Sequence, residues 1–543
     1  MKILAAQLNF TIGDLEGNTQ KILAALQRAK RNGVDVVLFS ELAITGYCPE
    51  DLLFSSSLLE KAAKQLDVIR SETQGLFVVV GVPRKNGIHQ EKPLYNSAAV
   101  FSNGQLLGYK DKTLLPTYDV FDERRFFEPG KEEPVWEFLG HRIGITICED
   151  IWRYSLAPSA FYEEDPVLVL KDKKVDLILN LSASPYCSSH KQNRLLAFQK
   201  VAKELSSPLI FCNQVGANDQ LIFDGHSLYV NEKGELIQMA KGFVEDDLMV
   251  DLNTHACPCI FSENKIKDLY SALVLGARDY FHKQGFKKAI LGLSGGIDSS
   301  VVACVAKEAL GAENVLGVAL PSRYSSKQSL SDAVLLCENL KIELQEICID
   351  SIFQNYLDLL SSVVNGSLSS LSQENLQPRI RTAILMAIAN EKGLILLNTS
   401  NKSEMAMGYA TLYGDMAGGL GVLQDVKKSH VYQLAAFINA RQEVIPKAII
   451  DKEPSAELRE NQTDLDTLPS YEILDAVIED YIEAALPVEE IAEKRALSAP
   501  FLTDLIHKIH LAEYKRRQAP IGLRVTQKAF GKGRLMPIVQ KWK

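Results

Sequence analysis

Ala289-Ile290-Leu291-Gly292-Leu293-Ser294-Gly295-Gly296-Ile297-Asp298-Ser299-Ser300-Val301-Val302-Ala303 is the stretch on which the reading of this chain turns. A short apolar run meets paired glycines, and a second apolar run follows, which is the pattern of strand, tight turn and helix. Glycines let a backbone approach a ligand closely, and the N–H groups at a helix N-terminus favour an anion. It is not the G-x-x-x-x-G-K-[ST] loop, because no lysine follows the glycines. Asp298 is placed to meet a metal.

Outward from the loop, the second half has a helix pattern at Asp268 to Lys283. Strand candidates follow at Val315 to Leu320, Ile342 to Ile349 and Leu394 to Asn398, with helical segments such as Arg379 to Glu391 between them. This alternation predicts a parallel doubly wound sheet with ligands outside the carboxyl ends of its strands. Ser361 to Ser372 is serine-rich and reads as mobile, and Asp451 to Leu468, charged around Pro454, reads as a loop. In the first half the strand candidates are Ile3 to Leu8, Val34 to Phe39, Phe77 to Val82, Ile143 to Cys148, Val175 to Leu181 and Leu209 to Cys212, with Asn231-Glu232-Lys233-Gly234 as a hairpin turn. These imply an α/β or layered α+β fold. Asp251 to Lys265 is polar and aperiodic, so the expected division is a domain over 1–250, a linker over 251–266 and a second domain over 267–543.

With 543 residues, two large domains are the default. Apolar residues make up 46% and charged residues 23%, as in ordinary globular proteins. A net charge of −9 argues against a general nucleic-acid surface, although basic runs occur at Lys515-Arg516-Arg517 and Lys528 to Arg534. Nine irregularly spaced cysteines suggest no disulfide framework, and Cys257-Pro258-Cys259 has no second pair with which to hold zinc. Neither a signal-peptide core nor a run of membrane-helix length is evident, so the expected location is the cytoplasm.

Three chemically capable residues stand at comparable places in the first half. Glu41 follows Val36-Val37-Leu38-Phe39-Ser40, Cys148 ends Ile143-Gly144-Ile145-Thr146-Ile147, and Lys112 lies in the loop Tyr109 to Pro116. With their flanks, Ser40 to Tyr47, Lys112 to Pro116 and Cys148-Glu149-Asp150-Ile151-Trp152, they resemble the nitrilase superfamily. Val120 to Phe127 and Asn180-Leu181-Ser182-Ala183-Ser184-Pro185 extend the match over roughly residues 1–250. The resemblance implies an αββα sandwich and an amide hydrolase. Cys148 would attack as thiolate, Glu41 would carry the proton, and Lys112 would hold the cysteine ionised and stabilise the oxyanion. By resemblance to glutamine-using members, Tyr47, Tyr118, Glu149, Ser184 and Lys191 would hold the substrate, and Glu123 would support the lysine. The family's glycine–lysine element appears here as Ser188-Ser189-His190-Lys191, one residue longer.

The glycine loop resembles the pyrophosphate loop of ATP pyrophosphatases. The segments Glu374 to Arg381, Asn398 to Glu404, Gly408 to Asp415, Asp425 to Ser429, Lys452 to Leu458 and Leu468 to Tyr471 make the second half resemble the synthetase domain of NAD synthetases. The implied reaction adenylates the nicotinate carboxylate of deamido-NAD with ATP, after which ammonia displaces AMP. By this resemblance Gly292, Leu293, Ser294, Gly295, Gly296, Ile297, Asp298 and Ser299, with Thr399 and Lys428, would bind ATP. Asp298 and Glu404 would hold magnesium, and Asn375, Arg379, Glu404, Arg524 and Lys528 would meet deamido-NAD. Tyr413 and Asp415 would shape the acceptor pocket.

The order of the two halves resembles the glutamine-dependent NAD synthetases, with glutamine or ammonia as nitrogen donor, a protected passage between sites, and a homo-oligomer built on the synthetase domain. Asparagine synthetases also join glutamine hydrolysis to a pyrophosphatase loop, but they use a cysteine directly after Met1, where this chain has Lys2. GMP synthetases use a Cys-His-Glu glutaminase, and no segment matches it. RNA-thiolating enzymes with the same loop would want a sulfur-carrying cysteine pair and a basic face, and neither is evident.

Overall fold

The computed structural model describes residues 1–87, 91–155, 162–188, 190–254 and 257–542. Ser189, inside the lengthened Ser188-to-Lys191 element, lies outside them. The chain divides into two units, Met1–Glu263 and Asn264–Lys543.

The first unit is built on two six-stranded sheets. One runs in the order Asp246–Asp251, Lys2–Gln7, Val36–Leu38, Phe77–Lys85, Leu94–Ser102, Gln105–Asp111, and the other runs Leu236–Met239, Leu228–Val230, Leu209–Asn213, Leu177–Ser182, His141–Ile147, Val135–Phe138. Alternate residues point to opposite faces of a strand, and the sequence uses both faces. Ile3, Ala5, Val36, Leu38, Phe77 and Val79 meet Ile143, Ile145, Ile147, Leu177, Leu179 and Leu181 in a core between the sheets. The intervening residues Leu4, Ala6, Val37, Phe39, Val78 and Val80 pack outward on Ile22, Ala25 and Leu26 of helix Leu15–Arg31 and on Ala62 and Ile69 of helix Ser56–Ser71. Ile178, Phe211 and Leu228 of the second sheet do the same with Val167 and Leu170 of helix Pro166–Asp172 and with Phe198 and Val201 of helix His190–Leu205. The result is an αββα sandwich.

Strands Lys2–Gln7, Val36–Leu38 and Phe77–Lys85 pair in parallel, as do His141–Ile147, Leu177–Ser182 and Leu209–Asn213. Parallel pairing brings the carboxyl ends of the first sheet's strands together, and likewise those of the second, which is why Glu41, Cys148 and Ser184 each follow a strand end. The Asn231-to-Gly234 turn joins the antiparallel pair Leu228–Val230 and Leu236–Met239. One expectation needs correction. Tyr109, Lys110 and Asp111, read as loop, are the end of strand Gln105–Asp111, which pairs antiparallel with Leu94–Ser102. It is an edge strand that opens with Leu106 and Leu107 exposed side by side, so no apolar alternation marked it.

The second unit holds a five-stranded sheet in the order Glu343–Glu346, Val315–Ala319, Ala289–Gly292, Ile395–Asn398, Leu420–Gly421, with every pair parallel. In chain order this is 3-2-1-4-5, so the winding reverses between Ala289–Gly292 and Ile395–Asn398. A crevice opens at such a reversal. Helix Lys265–Gln284 leads into the sheet and ends at Gly285, whose φ of +82° favours glycine. The helix expected over Arg379 to Glu391 is longer, Ser370–Lys392, capped by the Ser369 side chain and running through Pro378. The serine-rich stretch is therefore partly helical, since helix Asp350–Val363 runs into it as well.

Candidate active sites

In the first unit Glu41 sits on the buried turn after Val36–Leu38. Gly81 makes room for that turn, because a Cβ there would lie 2.3 Å from Leu42 N and 2.5 Å from Ser40 O. Cys148 stands at the junction of strand His141–Ile147 and the 3-10 helix Cys148–Tyr154, with φ +42°. A non-glycine residue held there costs about 1–3 kcal/mol and persists only where its surroundings over-determine it.

Lys112 Nζ donates to Glu41 Oε1 at 2.7 Å and to Glu123 Oε1 at 2.8 Å. Asn96 Nδ2 donates to the same Glu41 oxygen at 2.7 Å, and the Ala183 N–H to its other oxygen at 3.1 Å. Tyr47 Oη donates to Glu123 Oε1 at 2.8 Å. All of these side chains are buried. Burial pushes the Glu123 carboxyl up to about 7 against the pull of Lys112. Burial also raises the Cys148 thiol well above its ordinary value, Glu41 adding to the effect and Lys112 opposing it. The Lys112 ammonium, expected to keep the cysteine ionised, is shared between the two carboxylates.

Of the expected substrate contacts, Tyr118 donates to both Glu149 oxygens at 2.9 and 3.0 Å, and Tyr162, which sequence reasoning missed, donates to Glu149 Oε1 at 3.1 Å. Burial raises the Glu149 carboxyl, opposed first by Lys112. Among the described residues no cation forms an ion pair with Glu149. Ser184 is fixed through its backbone N–H to Asn213 Oδ1 at 2.9 Å. Tyr47 turns to Glu123 rather than to Glu149, and Lys191 Nζ stands 5.5 Å from the Phe261 ring centre.

In the second unit the glycine loop lies at the winding reversal, between strand Ala289–Gly292 and helix Ile297–Leu310. Gly295 has φ +73°, and a Cβ on it would fall 2.2 Å from Ser329 O. Ser294 Oγ accepts the Gly296 N–H at 3.2 Å. A cleft of about 310 Å³ opens above the loop. Its lining includes the apolar Val318, Leu320, Leu385 and Leu396 and the polar Asp298, Thr399, Glu404, Lys428 and Asp464.

Lys428 Nζ donates to Asp298 Oδ2 at 2.5 Å and to Glu404 Oε1 at 3.4 Å, while Asn401 Nδ2 holds the other Asp298 oxygen at 2.9 Å. Burial, with Asp298 adding, pushes the Glu404 carboxyl up to about 8. Two hard carboxylates facing one stand-in ammonium fit a magnesium ion, which is commonly held by one or two carboxylates together with phosphates.

The other expected contacts make hydrogen bonds within the protein. Asn375 Oδ1 accepts from Thr411 Oγ1 at 2.8 Å, and Arg379, exposed, donates to Leu412 O at 3.1 Å, so both brace the Gly408-to-Asp415 segment. Arg381, two residues on, lines the cleft instead and donates to Leu320 O at 2.9 Å. Arg524 is buried and donates to Gln527 O at 3.0 Å, and Lys528 accepts at its carbonyl from Lys402 Nζ at 3.0 Å. Asp425 explains why that tail stays near the site: it pairs with buried Lys402 at 3.0 Å and accepts from the N–H groups of Val525 and Thr526 at 2.8 and 2.7 Å. Lys452 and Glu457, 2.6 Å apart, both reach Ser329 beside Gly295. Only the sequence motif Lys452 to Leu458 had pointed to them.

Residues 2–257 match the carbon-nitrogen hydrolase family and residues 269–519 the NAD synthase family. The chain is 43% identical to a glutamine-dependent NAD(+) synthetase of Synechocystis, with 99% of this chain and 98% of that one aligned. It is 41% identical to one of Thermotoga maritima, over 100% and 99%. Among solved structures, the glutamine-dependent NAD+ synthetase of Acinetobacter baumannii in complex with ADP shares 36% identity at TM-score 0.78, covering 100% of this chain and 99% of that one.

Proposed function

The chain belongs to the glutamine-dependent NAD(+) synthetases, and from that premise we propose how its residues divide the work. The enzyme amidates deamido-NAD to NAD with ATP and draws ammonia from glutamine, releasing glutamate, AMP and pyrophosphate. The observation that carries the assignment of sites is that one chain holds a Lys112 ammonium between Glu41 and Glu123 near Cys148 and, separately, a glycine phosphate loop at a winding reversal.

In the first unit, Glu41 takes the Cys148 proton as sulfur attacks the glutamine carboxamide. Lys112 stabilises the oxyanion. Glu41 returns the proton to the leaving ammonia and then activates the water that cleaves the thioester. Glu149, buried among phenols, receives the substrate's α-ammonium, with Tyr47, Tyr118, Ser184 and Lys191 completing the glutamine subsite.

In the second unit, Ser294 to Ser299 cradle the ATP phosphates, and Thr399 and Lys428 bind beside them. Asp298 and Glu404 would hold magnesium, which when bound neutralises charge on the triphosphate. Asn375, Arg379, Glu404, Arg524 and Lys528 recognise deamido-NAD. The carboxylate of that substrate attacks the α-phosphate, and ammonia then displaces AMP. We also place the enzyme in the cytoplasm as a homo-oligomer built on the second unit, with ammonia passed between sites and the glutaminase rising when ATP and deamido-NAD are bound. No helix among the described residues is long and apolar enough to cross a membrane.

The test is NAD formation from deamido-NAD, ATP and magnesium, with glutamine or ammonium as donor, in wild type and Cys148→Ala. Wild type should use both donors and the variant ammonium alone. ATP cleavage without NAD from either donor would overturn the acceptor.

A further inference from the structure

Two lysines two residues apart serve separate circuits. Lys112 faces Glu41 and Glu123, as described. Lys110, also fully buried, lies 3.0 Å from Glu133 Oε1 and 3.5 Å from Asp150 Oδ2, and donates to Thr113 Oγ1 at 2.8 Å. The reaction above uses nothing in this second circuit. It meets the catalytic elements at Asp150. Oδ1 of that residue accepts the backbone N–H groups of Thr113 at 3.0 Å and Leu114 at 2.9 Å, the two residues after Lys112. Oδ2 accepts the N–H of Ile147 at 2.9 Å, the residue before Cys148. One carboxylate therefore bridges the loop carrying the lysine and the turn carrying the cysteine, through three charge-assisted bonds in a space closed to water. The left-handed backbone of Cys148 is the kind of conformation that needs such outside support.

We propose that Asp150 is a positioning residue: balanced in charge by Lys110, it clamps the Lys112 loop to the Cys148 turn and so sets the geometry of nucleophile and oxyanion cation. The proposal rests on the reading of Glu41, Lys112 and Cys148 as the glutaminase site. An amide at position 150 keeps one acceptor oxygen but turns its NH2 either toward the Ile147 N–H and the Lys110 ammonium or toward the Thr113 and Leu114 N–H groups, so one side of the clamp opens. The Glu149 side chain, assigned above to the glutamine subsite, takes its hydrogen bonds from Tyr118 and Tyr162.

The experiment compares wild type, Asp150→Asn, Asp150→Asn with Lys110→Met, and Cys148→Ala. Glutaminase kcat and KM are measured, with ammonium-dependent NAD formation as the control for intact protein. Asp150→Asn should lower kcat by about tenfold to a hundredfold, the loss expected of a misplaced reacting group. KM for glutamine should stay within about threefold. The double variant removes both charges, Glu133 taking up a proton in the absence of its partner Lys110, and it should remain as slow. A double variant restored to wild-type kcat would show Asp150 to be only a charge partner and would overturn the proposal, as would wild-type kcat in Asp150→Asn. If the single variant does not fold, the double variant carries the same two outcomes. Glutamine-driven activity surviving in Cys148→Ala would instead overturn the site reading on which the proposal rests.

Discussion

Gly295→Ala isolates what the glycine loop requires. The substitution asks an L-residue to hold φ +73°, which costs about 1–2 kcal/mol. It also places a methyl carbon 2.2 Å from Ser329 O and 2.7 Å from Ser329 Cα, backbone atoms that no side-chain rotation can withdraw. Opening an ordinary contact there means a shift of about 1 Å, at the roughly 1–3 kcal/mol typical of overpacking. The sum is about 2–5 kcal/mol, placed on the loop to which we assign the phosphates. Gly285→Ala is the matched control: φ is +82°, but nothing lies within 4 Å of the added carbon, so only the backbone cost of about 1–2 kcal/mol remains. Calorimetric titration with ADP and ammonium-dependent NAD formation read the difference. Gly295→Ala should bind ADP at least about tenfold more weakly than wild type, and Gly285→Ala should bind it unchanged. If both variants bind ADP like wild type, the close approach of Ser329 does not shape the phosphate site and the reasoning fails.

Two further outcomes follow from the buried titrations. With its thiol raised by burial and by Glu41, Cys148 should be alkylated by iodoacetamide about tenfold faster per pH step of one between about pH 7 and 9, when labelling of its own peptide is followed by mass spectrometry. A rate that levels off below about pH 8 would contradict a thiol raised by burial. Glu133 titrates at about 7 in the folded chain against an ordinary 4.5, because burial outweighs Lys110, and its Oε2 has no hydrogen-bond partner among the described residues. The folded state therefore holds that proton more tightly than the unfolded one, and stability present below 4.5 is lost as pH rises through 7, by about 3 kcal/mol at most. Glu133→Gln removes that loss, so its melting temperature relative to wild type should rise from about pH 5 to about pH 8. A difference that does not vary with pH would refute this.

The parts most legible in the sequence were those whose chemistry is local. Ser294 to Ser299 needs its glycines and acid in a fixed order, and parallel strands must be apolar on both faces, so the loop and most central strands could be read directly. Lys110 and Lys112 could not be told apart as charges. Only the pairing of Gln105–Asp111 with Leu94–Ser102 determines which of them meets Glu41. Arg379 and Arg381 pose the same problem on a helix, where their different directions were foreseeable but not which one turned inward. Asn96, Tyr162 and Asp425 act through partners 55, 13 and 101 positions away, at separations no local pattern encodes. The edge strand was hidden because an exposed edge has no apolar period to show.

The 3-2-1-4-5 strand order has a consequence for how the second unit assembles. The two strands that flank the cleft, Ala289–Gly292 and Ile395–Asn398, are neighbours in space but about a hundred residues apart in the chain, with two other strands wound between them. Closing so long a loop precedes any reward from the contacts it makes, so no early, local intermediate owns a nucleotide site. On the site assignment proposed above, nucleotide affinity would belong to the finished sheet alone, and a nucleotide that binds the native chain and not its precursors would be both a stabiliser and a reporter of complete folding.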